Sequence, residues 1–141
     1  MSNTALPGNE FAIRSLDFDG EDSITRESVD SMIQQIRTGG ITSVFLSLDE
    51  YGEEDFLTAD IKGSWAALAY NTWDETGYAH QYRPVNPAYK GSTEDAPVEI
   101  GGQTPVRKRN ALDNLDLAAE CVLHFAKTGE LYPGLTWEEA Q

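Results

Sequence analysis

Residues 41–73 read ITSVFLSLDEYGEEDFLTADIKGSWAALAYNTW, and the reading of this stretch decides the fold. ITSVFLSL (41–48), FLTADIKG (56–63) and SWAALAYNTW (64–73) are rich in β-branched and aromatic residues and poor in charge, which favours strands. Gly52 lies in the acidic stretch after the first run, and Gly63 marks a turn between the second and the third. DETG (74–77) is a further turn, leading into GYAHQYRP (77–84). Parallel neighbours need a crossover of a dozen or more residues, and these turns are too short for one. The sequence therefore predicts an antiparallel meander.

Two helices flank it. Val29, Met32, Ile33 and Ile36 recur at i, i+3, i+4 and i+7, one face of a helix. Thr25 is its expected N-cap, Ile24 and Val29 a hydrophobic staple, and Gly39–Gly40 its stop. Leu115, Ala118, Ala119, Val122, Phe125 and Ala126 repeat in the same way near the end of the chain, with Gly129 as the stop. EFAIRSLDF (10–18) reads as a first strand. Residues 84–105, with four prolines and several glycines, read as irregular chain around a short strand, APVEIGG. VRKRN (106–110) reads as the approach to the second helix, and WEEA after Thr136 as a short terminal turn or helix. The expected fold class is α+β: an antiparallel β-sheet meander with two helices packed on one face. Residues 1–9 read as a flexible tail and 10–141 as one domain of ordinary size.

The chain of 141 residues carries a net charge of −14. Residues 1–60 hold 13 acids and 3 bases, a net of −10, against −4 for residues 61–141 with 11 acids and 7 bases. Nucleic acid and anionic lipid both need a basic footprint, so neither is an expected partner. Acidity of this kind gives solubility, and it also attracts basic proteins. MSNTALPGNE has neither the basic nor the apolar region of a signal peptide. No apolar run approaches the roughly 20 residues that span a bilayer, so the expected location is cytoplasmic. Cys121 is the single cysteine and falls on the apolar stripe of the second helix, where an inert buried thiol is the expectation.

The carboxylates cluster. SLDEYGEEDF (47–56) holds Asp49, Glu50, Glu53, Glu54 and Asp55 and no basic residue. It lacks the alternating ligand positions of a calcium loop. A catalytic pair would need burial or a close like charge to raise one pKa, which a solvated hairpin turn does not offer. LDFDGEDS (16–23) resembles the nucleophile loop of haloacid-dehalogenase-type phosphatases, but Glu21 stands where a threonine normally follows the glycine and would repel the phosphate. The same stretch fails as an EF-hand, with Gly20 at the fourth loop position rather than the sixth. His80 and His124 have no ligand or triad spacing. No phosphate-binding glycine loop occurs. No cofactor and no metal is expected. Among the aromatics, Trp65 and Trp73 share strand parity and Tyr70 lies on the other face. Trp73 beside Asp74, and Tyr51 within the acidic stretch, are the expected interface anchors.

AAECVLHFAKTGELYPGLTWEEA (118–140) resembles the ending of the immunity proteins that bacteria use against polymorphic deaminase toxins. Those chains close with an Ala- and Phe-rich helix, a Thr-Gly stop, a proline, and Leu-Thr-Trp before an acid. Here these are Phe125, Thr128, Gly129, Pro133, Leu135, Thr136, Trp137 and Glu138. The resemblance implies a protein that is not an enzyme and that occludes the active site of a cognate toxin domain, basic and acting on nucleic acid. In that setting Asp49, Glu50, Tyr51, Glu53, Glu54, Asp55 and Trp73 are the expected contact residues, with the Gly/Pro-rich segment 84–105 as the alternative contact loop. The competing readings are a small hydrolase using paired carboxylates and a generic acidic regulatory protein. Oligomeric state is left open.

Overall fold

The computed structural model describes residues 10–140, so the expected tail at 1–9 lies outside the described residues. Among the described residues eight strands and two α-helices form an α+β fold: β1 (Ser15–Asp17), α1 (Arg26–Thr38), β2 (Ser43–Ser47), β3 (Phe56–Lys62), β4 (Trp65–Trp73), β5 (Ala79–Pro84), β6 (Asp95–Ile100), β7 (Thr104–Arg107), α2 (Leu115–Thr128) and β8 (Trp137–Glu139). The main sheet has the order β1-β2-β3-β4-β5-β8, antiparallel throughout, and β6 and β7 form a separate hairpin. The meander expected from residues 41–84 is present in full.

Thr25 caps α1: its hydroxyl accepts from the Ser28 N–H at 2.9 Å, and the Ser28 side chain accepts from the Thr25 N–H, satisfying two amides the first turn leaves open. Both helices end at a left-handed glycine, Gly39 and Gly129. Val29, Met32, Ile33 and Ile36 of α1 join Ala118, Ala119, Val122, Phe125 and Ala126 of α2 in one core with Val44, Leu46, Leu57, Ile61 and Leu68 of the sheet. Burial of each such aliphatic side chain contributes about 1.5–3 kcal/mol before entropy is subtracted. Tyr70, on the same side of the sheet, meets Phe125 edge-on at 5.6 Å. The helices thus cover one face only. On the opposite face the β6–β7 hairpin covers the Trp65 end, packing Ala96, Val98 and Val106 against Ala67 and Trp65.

Three expectations are corrected. The first strand is shorter than residues 10–18 because the N–H groups of Ala12 and Ile13 turn to the Ala126 carbonyl in the last turn of α2, a group without an intrahelical partner. VRKRN is not a simple helix approach: Thr104–Arg107 is the second strand of a hairpin, followed by a 3-10 turn at Lys108–Asn110. Residues 137–139 are a strand and not a helix, paired with β5 through Tyr82↔Glu139 and Pro84↔Trp137. Tertiary contacts outweigh the capping signal of Thr136 there. The Trp137 indole packs on the core and its N–H donates to the Tyr132 carbonyl at 3.0 Å. Arg109 holds Glu138 through two bonds of 2.8 Å. That bidentate pair, with a further bond from Asn110, brings the Glu138 carboxyl down to about 2.

Candidate functional site

The acidic residues form the β2–β3 loop, and their chemistry divides them. The Asp49 carboxylate accepts from the Glu53 N–H at 2.8 Å and its carbonyl from the Ser15 hydroxyl at 3.0 Å. Asp55 accepts from the Thr72 hydroxyl on β4. Both side chains therefore shape the loop, and both are half-buried. Glu50 lies 3.5 Å from Arg14, a solvent-exposed pair of small energetic weight. Glu53 and Glu54 are exposed and have no ion-pair partner among the described residues. Tyr51, at 78% exposure, stands among them with almost its whole ring in solvent.

The loop is joined to a row of aromatic rings. Gly52 has φ +70, and a Cβ there would lie 3.1 Å from the Phe45 ring, so only a glycine lets the backbone settle on that ring. Phe45 and Phe56 have centroids 5.1 Å apart, and Phe56 and Trp73 are 5.8 Å apart. All three rings lie on the face opposite the helices and are half-buried. The register places Asp17 beside Phe45 and Asn71 beside Phe56 on that face. Loop and row together make one surface: exposed carboxylates and Tyr51 at one end, then Phe45, Phe56 and Trp73 across β2, β3 and β4.

Phe45 and Phe56 were not among the expected anchors, yet strand parity marks them. In SVFLS the rings of Phe45 and the side chains of Val44 and Leu46 alternate faces, and in FLTADIK Phe56 is out of phase with Leu57, Ala59 and Ile61. An aromatic residue out of phase with the core face faces outward.

A polar clamp lies at the same end of β4 but on the helix-bearing face, because the register pairs His80 with Thr72 and not with Trp73. His80 lies 2.8 Å from Asp74 and 2.7 Å from Glu139, and Asp74 also accepts from Thr76 and Tyr78. The two carboxylates raise the His80 pKa above its ordinary value, and the Thr76 hydroxyl, followed by His80 and the Tyr78 and Thr76 N–H groups, holds Asp74 well below the usual carboxylate range. Because the folded value is the higher one, this contribution to stability is complete below about pH 6.5 and fades as the pH rises through the folded value. An NMR titration of the imidazole should give a midpoint above about 6.5, and Asp74→Asn should bring it down toward that value. A midpoint at or below about 6.5 in the parent chain would show that the clamp is open in solution.

The other features are structural. Cys121 is buried and its thiol is pushed up to about 12 by that burial, so no thiolate is available as a nucleophile. The basic run folds back on its own chain: Arg109 onto Glu138, and Lys108 onto Glu94 at 3.3 Å and over the Tyr89 ring. Among the described residues no three His, Cys, Asp or Glu side chains converge as metal ligands, and no helix is long and apolar enough to cross a membrane. Set against family models, curated proteins and solved structures, the chain matches none.

Proposed function

We propose that this chain is an immunity protein that acts in the cytoplasm, binding a cognate bacterial toxin domain of the deaminase or nuclease type and occluding its active site. The observation that carries the reading is the union of an acidic loop, whose Glu53 and Glu54 have no ion-pair partner among the described residues, with an outward aromatic row on the part of the sheet that the β6–β7 hairpin leaves open. A toxin that works on nucleic acid presents a basic cleft. Glu53 and Glu54 would speed the encounter with that cleft, and desolvated rings would slow release. The likeness of residues 118–140 to the immunity-protein ending supplies the toxin as the partner. That segment builds the Trp137 strand and packs the core, so it bears on ancestry and not on the contact surface.

The test uses the toxin domain that this reading places in the adjacent upstream gene. Glu53→Lys with Glu54→Lys should slow association by about tenfold at low salt and flatten its salt dependence. Asp49 and Asp55 are left alone because their carboxylates hold the loop. An unchanged on-rate with unchanged inhibition would reduce the loop to a solvated turn.

A further inference from the structure

On the same face a groove of about 320 Å³ runs between β1–β3 and the tip of the β6–β7 hairpin. Phe45 and Phe56 form its aromatic wall, Asp60 lies within it, and Asp17 and Asp19 stand at the β1 end. Its lining contains three carboxylates and no base. Asp60 is half-buried and accepts one backbone bond, from the Gly101 N–H at 3.0 Å. No cationic group lies within ion-pair distance of it among the described residues. Its desolvation outweighs that one bond and lifts its carboxyl above the usual range. A carboxylate has about four acceptor sites, so most of this one's capacity is unused by the protein.

The chemistry that fits is cationic and flat. A cation within about 6 Å of a ring centroid is attracted to the ring face, and the half-buried Phe45 and Phe56 rings offer such faces, with the buried Phe18 also in the lining. An ammonium is a strongly hydrated point charge, whereas a guanidinium is weakly hydrated, stacks on rings and offers paired N–H donors to a carboxylate. Small-molecule sites run from about 300 to 1,000 Å³, so this groove is at the small end and suits a side chain better than a nucleotide. We propose that the groove receives an arginine side chain of the bound partner, its aliphatic stem passing Phe56 and its guanidinium set between the Phe45 ring and Asp60. This rests on the face being a protein-binding surface, as argued above.

The probe is N-acetyl-arginine-amide, titrated into the ¹⁵N-labelled full chain at 0.15 M salt with N-acetyl-lysine-amide in parallel. Saturable shifts are expected at the Gly101 amide, with the arginine compound binding several-fold more tightly than the lysine compound. Asp60→Asn should weaken the arginine compound by about tenfold, the loss of one charge-assisted bond at a partly exposed site. Phe45→Leu, which keeps an apolar side chain and removes the ring face, should weaken it by about threefold. A well-dispersed amide spectrum of each variant confirms that it is folded. Equal binding of the two compounds, indifference to Asp60→Asn, or shifts confined to residues 49–55 would overturn the assignment. If the loop reversal slows toxin association while the arginine compound bypasses Gly101, the groove assignment falls and the inhibitor reading stands. If the compound fills the groove while no toxin domain is bound, the inhibitor reading falls and the groove remains.

Discussion

Phe125→Ala will cost the fold about 3–5 kcal/mol, or roughly 10–15 °C in Tm. Phe125 is 1% exposed and is among the largest fully buried side chains. It stands where α2 meets the sheet, with Tyr70 edge-on to its ring. Removal of the ring leaves a void that neighbours on a helix and a strand cannot collapse into without breaking their own hydrogen bonds. A domain of this size has a total stability of about 5–15 kcal/mol, so the loss is a large fraction of the whole. Urea unfolding at neutral pH reads it directly. A loss below about 1 kcal/mol would mean that α2 is not packed on β4 as described.

On the proposed inhibitor function, Trp73→Ala should weaken binding of the toxin domain by about 2–4 kcal/mol, some 30- to 1,000-fold in Kd, while lowering stability by about 1 kcal/mol. The two readouts separate because Trp73 ends the aromatic row. Its ring-to-ring contact within the fold is with Phe56, and part of its ring is in solvent. Calorimetry of the complex and urea unfolding of the free chain measure the two terms. Unchanged affinity in a folded variant would place the contact surface elsewhere and remove the aromatic row from the proposal.

The parts legible in the sequence are those with local causes. Thr25, the i, i+3, i+4 apolar set and Gly39 define α1 without help from the rest of the chain. The strands of 41–84 are equally plain because their turns are short and their runs apolar. Residues 137–139 were not legible, because a three-residue strand has no periodicity and its support comes from β5 and Arg109. The β6–β7 hairpin had a local signal that the prolines obscured. Gly101 and Gly102 both have positive φ, and the Gln103 N–H reaches the Ile100 carbonyl at 3.2 Å, as in a type I′ turn. For the site, the sequence located the carboxylates but did not distinguish those that brace the loop from those that face outward. For Asp55 that distinction depends on Thr72, from β4; for Asp49 it lies in a turn whose Glu53 N–H reaches the carboxylate, a local contact that composition alone does not reveal.

The outermost strands of the main sheet, β1 and β8, are three residues each. A second copy approaching edge to edge finds very little ladder to extend, and at one of those margins it meets the carboxylates of Glu138 and Glu139. Short, charged borders are a common defence of β-proteins against unwanted lateral growth. The long inner strand β3 is paired with neighbours on both flanks. The aromatic row can therefore stay open to a partner while the two margins of the main sheet resist edge-to-edge pairing.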